Sequence, residues 1–274
     1  MPSILTTTLI RQLGRAAGFD LVGVARAEPL DDFERYAAWL ERGFHGTMDF
    51  LVRSAQARRD PRSILPGARS VIVCALSYLT HHPLGAMPSR TDGPIVSRHR
   101  WGTDYHKVVR RRLQRLQRLI EARLGRALDA RLCVDTAPLL ERALAARAGL
   151  GWIGKNNCLI HPVFGSLLFL GELVTDLELA PDAPTGRLPL DRCGRCERCL
   201  AACPTQALVA PRLLDARRCI SYLTLGHRGP IDPEIAAHVG RRVKGCDICQ
   251  EVCPWNRRAQ RRLATNVREL WPAA

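Results

Sequence analysis

The sequence predicts a layered α/β (α+β) domain followed by a smaller module built around cysteine, and three observations carry that prediction. Short apolar runs alternate with stretches of helical periodicity through residues 1–182. A Pro- and Gly-containing stretch, Pro181 to Pro189, reads as a linker. Eight of the eleven cysteines then fall between Cys193 and Cys253. The expected organisation is a domain over 1–182, a cysteine module over 183–256 and a short basic tail over 257–274.

In chain order, Leu5 to Ala17 has helical spacing, Gly18 breaks it, and Asp20 to Ala25 is a short apolar strand. Leu30 to Arg42 predicts a second helix ended by Gly43. Pro66-Gly67 marks a turn before Ser70 to Leu76, a β-branched run suited to a buried strand. Residues 80–103, rich in Pro, Gly, His and Ser, predict a long loop, and loops of that length are often functional. Val109, Leu113, Leu116 and Ile120 then line one face of an amphipathic helix. A strand at Arg131–Val134, a helix at Ala137–Ala148, a Gly-rich turn at Gly149–Gly154 and a strand at Ser166–Leu173 complete the first domain.

The formal net charge of +15, from 41 Lys and Arg against 26 Asp and Glu, points to a polyanionic partner, nucleic acid first. A general compositional bias toward Arg is the alternative. The amphipathic helix concentrates the charge: Lys107, Arg110, Arg111, Arg112, Arg115 and Arg118 precede its first acidic residue, Glu121. That face is either solvated surface or a phosphate-backbone track using Arg111, Arg112 and Arg115. The apolar runs near Val71–Leu76 and Leu167–Leu170 are too short to span a bilayer, and Met1 to Arg15 shows no signal peptide or twin-arginine leader. A cytoplasmic protein without membrane association is expected.

In a reducing compartment, clustered cysteines favour metal ligation over disulfides. Cys193, Cys196, Cys199 and Cys203-Pro204 form the C-x2-C-x2-C-x3-C-P run, in which three thiolates wrap one [4Fe–4S] cluster and the fourth reaches a second. Zinc sites more often use two separated C-x2-C pairs. A second run, Cys246, Cys249 and Cys253-Pro254, repeats the pattern with Val243 where its first cysteine should stand. Cys219, between the runs, is the natural substitute. Crossing the fourth cysteines assigns Cys193, Cys196, Cys199 and Cys253 to one cluster and Cys203, Cys219, Cys246 and Cys249 to the other. Cys74, Cys133 and Cys158 lie in ordinary core sequence.

Longer motifs carry a resemblance. Asp135-Thr-Ala-Pro-Leu-Leu-Glu-Arg142, Gly149-Leu-Gly-Trp-Ile-Gly-Lys-Asn156, Gly171 to Leu179, Cys219-Ile-Ser-Tyr-Leu-Thr224 and Cys253-Pro-Trp-Asn256 closely resemble the epoxyqueuosine reductases. So do Gly18–Asp20, His45 to Asp49, Arg58 to Pro61 and Asp104-Tyr-His106. The resemblance covers nearly the whole chain. It implies a cobalamin-binding catalytic domain feeding on a ferredoxin-like double [4Fe–4S] domain, acting on epoxyqueuosine at the wobble position of tRNA as a monomer. Its expected electron donor is flavodoxin or a similar protein. Asp135 then matches the proton donor, and a carboxyl doing that work near neutral pH needs burial to raise its pKa. Read from the residues alone, Asp135 would cap a helix starting at Ala137. Asp104, Tyr105 and His106 match the substrate pocket. Arg58, Asp135, Lys155, Ser221 and Asp247 match cobalamin contacts, although as bare residues each is more often a surface charge or turn residue.

The sequence departs from the family's pattern at His99 and Arg100, where an aromatic-small pair is usual. With the sequence ending at Ala274, tRNA grip is expected from the core and from Arg257, Arg258, Arg261 and Arg262. Two other functions share parts of this pattern. A reductive dehalogenase would combine cobalamin with two clusters but needs no basic surface. A ferredoxin-type electron-transfer subunit would leave the first domain without a purpose.

Overall fold

In the computed structural model, residues 5–85, 93–182, 191–261 and 267–271 are described. Helix α1 (Thr7–Ala16) starts where the Thr6 hydroxyl accepts the Leu9 N–H at 3.2 Å. Strand β1 (Leu21–Arg26) follows, then α2 (Asp32–Glu41), ended by Gly43 at φ 64°, and two single-turn helices, α3 (Asp49–Arg53) and α4 (Ala55–Arg59). Next come β2 (Ser70–Ser77), β3 (Ile95–Val96), the long α5 (Tyr105–Leu124) and β4 (Ala130–Cys133). Helix α6 (Glu141–Arg147), the β5 (Trp152–Ile153) and β6 (Leu159–Ile160) hairpin and β7 (Leu168–Thr175) close the first domain.

Four strands form an antiparallel sheet in the order β1-β2-β7-β4. All eight residues of β2 are buried because both faces are covered. Its alternation sorts the core in two: Ile72, Cys74 and Leu76 face α1 and α5, while Val71, Val73 and Ala75 face α6. Gly171 in β7 lets α5 lie close, since a Cβ there would stand 2.6 Å from the Val109 side chain.

The second half contains α7 (Arg198–Ala201), the β8 (Leu208–Ala210) and β9 (Leu213–Leu214) pair, α8 (Ile220–Leu225), α9 (Pro233–Val239), β10 (Arg242–Lys244), α10 (Ile248–Glu251) and α11 (Pro254–Gln260). The halves interlock. Strand β3, inside the predicted 80–103 loop, pairs in parallel with β10. Asn256, fully buried, accepts the Ser166 N–H at 2.6 Å and donates to Ser166 Oγ at 2.9 Å and Gln250 O at 2.7 Å.

Several expected boundaries move, each for a local reason. The strand expected at Ser166 begins at Leu168 because Ser166 is bonded to Asn256 instead of to a neighbouring strand. The turn expected over Gly149–Gly154 contains strand β5. The helix expected from Ala137 begins at Glu141, because Asp135 takes a left-handed φ of 58° and the chain loops before it can coil. The tail expected from residue 257 is no tail in its described part: α11 continues to Gln260, and Leu270, 2% exposed, packs in the core beside α5. Arg262 and the linker residues 183–190 lie outside the described residues.

Candidate active site and cluster cradle

Three side chains expected in the substrate pocket and the expected acid meet at the N-terminus of α5. Asp104 caps the helix by accepting the His106 N–H at 3.0 Å, and its Oδ1 also contacts His106 Nδ1 at 2.7 Å. Tyr105 donates its hydroxyl to Asp135 Oδ2 at 2.9 Å, and His106 Nε2 stands 3.4 Å from the same oxygen. The Tyr105 hydroxyl is pushed up by burial first and by Asp135 second, so it stays protonated and acts as a donor.

Ring stacking holds Tyr105 in place. Tyr78, Phe169, Tyr105 and His106 form a continuous ladder with successive centroids 4.3, 4.3 and 4.0 Å apart. Its far end reaches the cysteine module, where Gln250 Nε2 donates to the Tyr78 hydroxyl at 3.3 Å.

Asp135 itself corrects two expectations. It caps no helix, and its side chain is 59% exposed, so the burial expected of the acid is absent. That burial falls on two carboxyls behind it which sequence reasoning did not single out. Glu141 accepts the Asp135 N–H at 2.6 Å, and desolvation pushes its carboxyl up to about 7, with Asp135 adding to the effect. Glu172, fully buried in β7, is pushed well above the usual carboxylate range by burial first and by Glu141 next. A glutamate inside the apolar run Leu168–Thr175 was the available signal.

His99 approaches this site from the altered segment. Burial lowers its pKa to about 4 against the opposing pull of Asp135, and Nδ1 contacts Ser97 Oγ at 2.7 Å. Arg100 is exposed.

The five residues expected to hold cobalamin sit on five separate segments, and no hydrogen bond joins them among the described residues. Arg58 is buried, donating to Leu139 O at 2.9 Å and Ser54 Oγ at 3.2 Å, which braces the loop carrying Asp135. Lys155 pairs with Glu197 at 3.1 Å, and Ser221 is half-buried in the first turn of α8. Asp247 is buried, and its carboxylate accepts from Ser97 Oγ at 2.6 Å and from the Arg98 N–H at 2.7 Å. Arg58, Lys155 and Ser221 keep cationic or hydroxyl chemistry suited to amide and phosphate groups; Asp247 holds the turn at Ser97.

The eight module cysteines fall into two neighbourhoods. Besides burial, Cys253 feels Cys193 and Cys196, and Cys199 feels Cys253 and Cys193. Cys219 feels Cys203 and Cys246 feels Cys219, while Cys249, lying between the sets, feels Cys158 first, then Cys246 and Cys219, and also Cys199 of the first set. Among the described residues no three His, Cys, Asp or Glu side chains close to the spacing of a single metal ion. A cubane, which gives each thiolate its own iron corner, suits the wider spacing better than tetrahedral zinc does. The buried Trp152 Nε1 has no partner among the described residues and packs with Cys193 and Cys253, a donor placed beside sulfur. Val243 is 47% exposed on β10, away from any ligand role, and Cys219 lies at the head of α8 within reach of the second set.

Of the expected phosphate track, Arg115 is exposed, whereas Arg111 pairs with Glu269 at 2.7 Å. Arg112 is the least exposed of the three, at 20%, and donates to Gly18 O, a packing contact within the fold. Of the C-terminal arginines, Arg257 donates to Glu251 O at 3.4 Å and Arg258 lies 6.0 Å over the Trp255 ring, while Arg261 is exposed. No helix among the described residues is long and apolar enough to cross a membrane.

Residues 192–256 match the 4Fe-4S double cluster binding domain, and residues 58–136 match the family model described as epoxyqueuosine reductase QueG, DUF1730. A crystal structure of epoxyqueuosine reductase with an epoxyqueuosine-modified tRNA-Tyr stem loop superimposes with a TM-score of 0.82 at 33% identity, covering 96% of this chain and 68% of that one. A reductive dehalogenase whose structure suggested a mechanism for B12-dependent dehalogenation shares the fold alone, at TM-score 0.56 and 17% identity over 93% of this chain and 33% of its own. The epoxyqueuosine reductase of Xanthomonas campestris is 44% identical over 254 residues, spanning 92% of this chain and 70% of the relative. By that similarity the chain belongs to the epoxyqueuosine reductase family.

Proposed function

We propose that this chain reduces epoxyqueuosine to queuosine in the anticodon of tRNA, the last step in making that nucleoside, as a cytoplasmic monomer supplied with electrons by flavodoxin or a similar carrier. The observation that carries the reading is the convergence of Tyr105 and His106 on Asp135 Oδ2 at an exposed edge, joined by stacked rings to the cysteine module.

Cys193, Cys196, Cys199 and Cys253 would hold one [4Fe–4S] cluster and Cys203, Cys219, Cys246 and Cys249 the other, and these would carry electrons singly toward the site. Arg58, Lys155 and Ser221 would hold cobalamin, which when bound supplies a cobalt centre able to reduce the epoxide carbon. The chain's own work concerns protons and position. Asp135 delivers a proton to the oxygen released when the epoxide opens, because an alkoxide leaves poorly unless protonated. Tyr105 fixes the rotamer of Asp135 through its hydroxyl, and Asp104 orients the imidazole of His106 so that Nε2 faces the same carboxylate. The substrate nucleoside lies against Tyr105 and His106, and Arg115 with Lys107 and Arg110 along the same helix meets the phosphates.

The test uses anaerobically purified, reconstituted protein. Iron and cobalamin are quantified, and conversion of epoxyqueuosine in an anticodon stem-loop is followed. Iron-loaded protein that neither binds cobalamin nor turns over the stem-loop refutes the reading.

A further inference from the structure

Losing an epoxide oxygen as water, with a carbon–carbon double bond left behind, consumes two electrons and two protons. The electrons come from the external carrier through the clusters. One carboxyl at Asp135 holds one proton at a time, so turnover requires a second proton at the same place.

Behind Asp135 the fold buries two further carboxyls. Glu172 is 0% exposed, and apart from Glu141, whose carboxyl is within hydrogen-bonding reach when the two share a proton, its oxygens have no partner among the described residues. Glu172 lies on the sheet face that packs against α6, from which Glu141 faces it and bonds the Asp135 N–H at 2.6 Å. An unpaired carboxylate in such a place is costly, whereas a carboxylic acid is tolerated. The other ionisable groups around the pair are Cys133 opposite Glu172 in β4, Cys74 of β2, Arg110 and Tyr105 of α5 and Arg142 of α6. Of these only the two arginines carry positive charge, and neither forms an ion pair with Glu172 among the described residues.

We propose that Glu141 and Glu172 form a shared proton reserve that reprotonates Asp135 during turnover, so that both protons leaving with the epoxide oxygen pass through one carboxyl. After Asp135 has protonated the opened oxygen, a proton moves from the pair to its carboxylate. The pair then carries one more negative charge than before, until it is refilled from solvent at the partly exposed edge of Glu141. Burial of both carboxyls, with Glu141 titrating at about 7, keeps at least one proton on the pair at neutral pH. Neither residue touches the substrate; both act through Asp135. The inference rests on the function proposed above.

The test compares wild type with Glu172→Gln and Glu141→Gln, all cluster-loaded, by pH-dependent infrared spectroscopy and single-turnover kinetics on the stem-loop. Two protonated-carboxyl C=O bands are expected in the wild type. One persists above neutral pH and vanishes in Glu172→Gln; the other titrates near 7 and vanishes in Glu141→Gln. Both variants should keep wild-type iron content and stem-loop affinity while turnover falls on the order of tenfold, within the range of general acid effects. In Glu141→Gln the fall in rate above neutral pH should also disappear. Absence of both bands at neutral pH, or unchanged rates and pH profiles in the variants, overturns the reserve. If Glu172→Gln fails to fold, Glu141→Gln decides alone. A wild type that shows the bands but no turnover refutes the proposed function and leaves the reserve standing as a property of the fold.

Discussion

The rings of Tyr105 and Phe169 lie 3° from parallel with centroids 4.3 Å apart, and this stack fixes the phenol that reaches Asp135. Two functions of Tyr105 can therefore be separated. Tyr105→Phe keeps the stack and removes the bond to Asp135, so turnover should fall by about tenfold, the worth of one hydrogen bond to a charged group, with stability nearly unchanged. Tyr105→Ala should cost activity and also melt earlier. Single-turnover rates and thermal melts check both.

Asn256 ties the module to the sheet through three hydrogen bonds at zero exposure. Asn256→Ala strands the Ser166 N–H and the Gln250 carbonyl, each costing about 1–3 kcal/mol when buried and unpaired. A loss on the order of 3 kcal/mol in anaerobic denaturant unfolding is expected. A loss below about 0.5 kcal/mol would show that the anchor is redundant.

Glu141 gives the fold a pH dependence of definite sign. Its carboxyl titrates at about 7 in the folded chain against an ordinary value of 4.5, so between those values the folded state binds more protons than the unfolded one. Its contribution is fully present below the ordinary value and is lost as pH rises through about 7. Stability should therefore fall with rising pH by up to about 1.4 kcal/mol per unit in that window, and Glu141→Gln should flatten the slope. Anaerobic melts across the upper half of the window read it without acid damage to the clusters.

Cys219→Ser should remove about four irons per chain by disabling the second cluster, whereas Cys158→Ser, half-buried beside both cysteine sets but assigned to neither, should leave the iron content unchanged. Iron analysis with electron paramagnetic resonance distinguishes them. Retention of full iron in Cys219→Ser would overturn its role as substitute for the cysteine absent at Val243.

The arginines of α5 should separate by burial. Arg115→Glu should weaken stem-loop binding and reduce the salt slope by about one unit, as loss of one phosphate contact does. Arg112→Glu should chiefly lower the melting temperature, since that guanidinium is bonded to Gly18 O. Salt titrations of binding alongside thermal melts test the contrast.

The cluster cysteines, the sheet strands and the Asp104-Tyr-His106 segment were legible in the sequence because each is a local pattern: a ligand spacing, a β-branched run, a helix start. What the sequence could not decide was which groups share a surface. Asp135 read as a buried acid or a helix cap and is neither, because a left-handed residue turns the chain and leaves its carboxylate in the open. Asp247 and Arg112 read as ligands of outside partners, and the fold also bonds them to Ser97, Arg98 and Gly18, whose positions relative to them depend on long-range packing. The sequence by itself determined the cysteine spacing and the alternating core. Only the tertiary structure decided that the burial expected at Asp135 belongs to Glu141 and Glu172, because desolvation depends on what packs over a carboxyl and not on its neighbours in the chain.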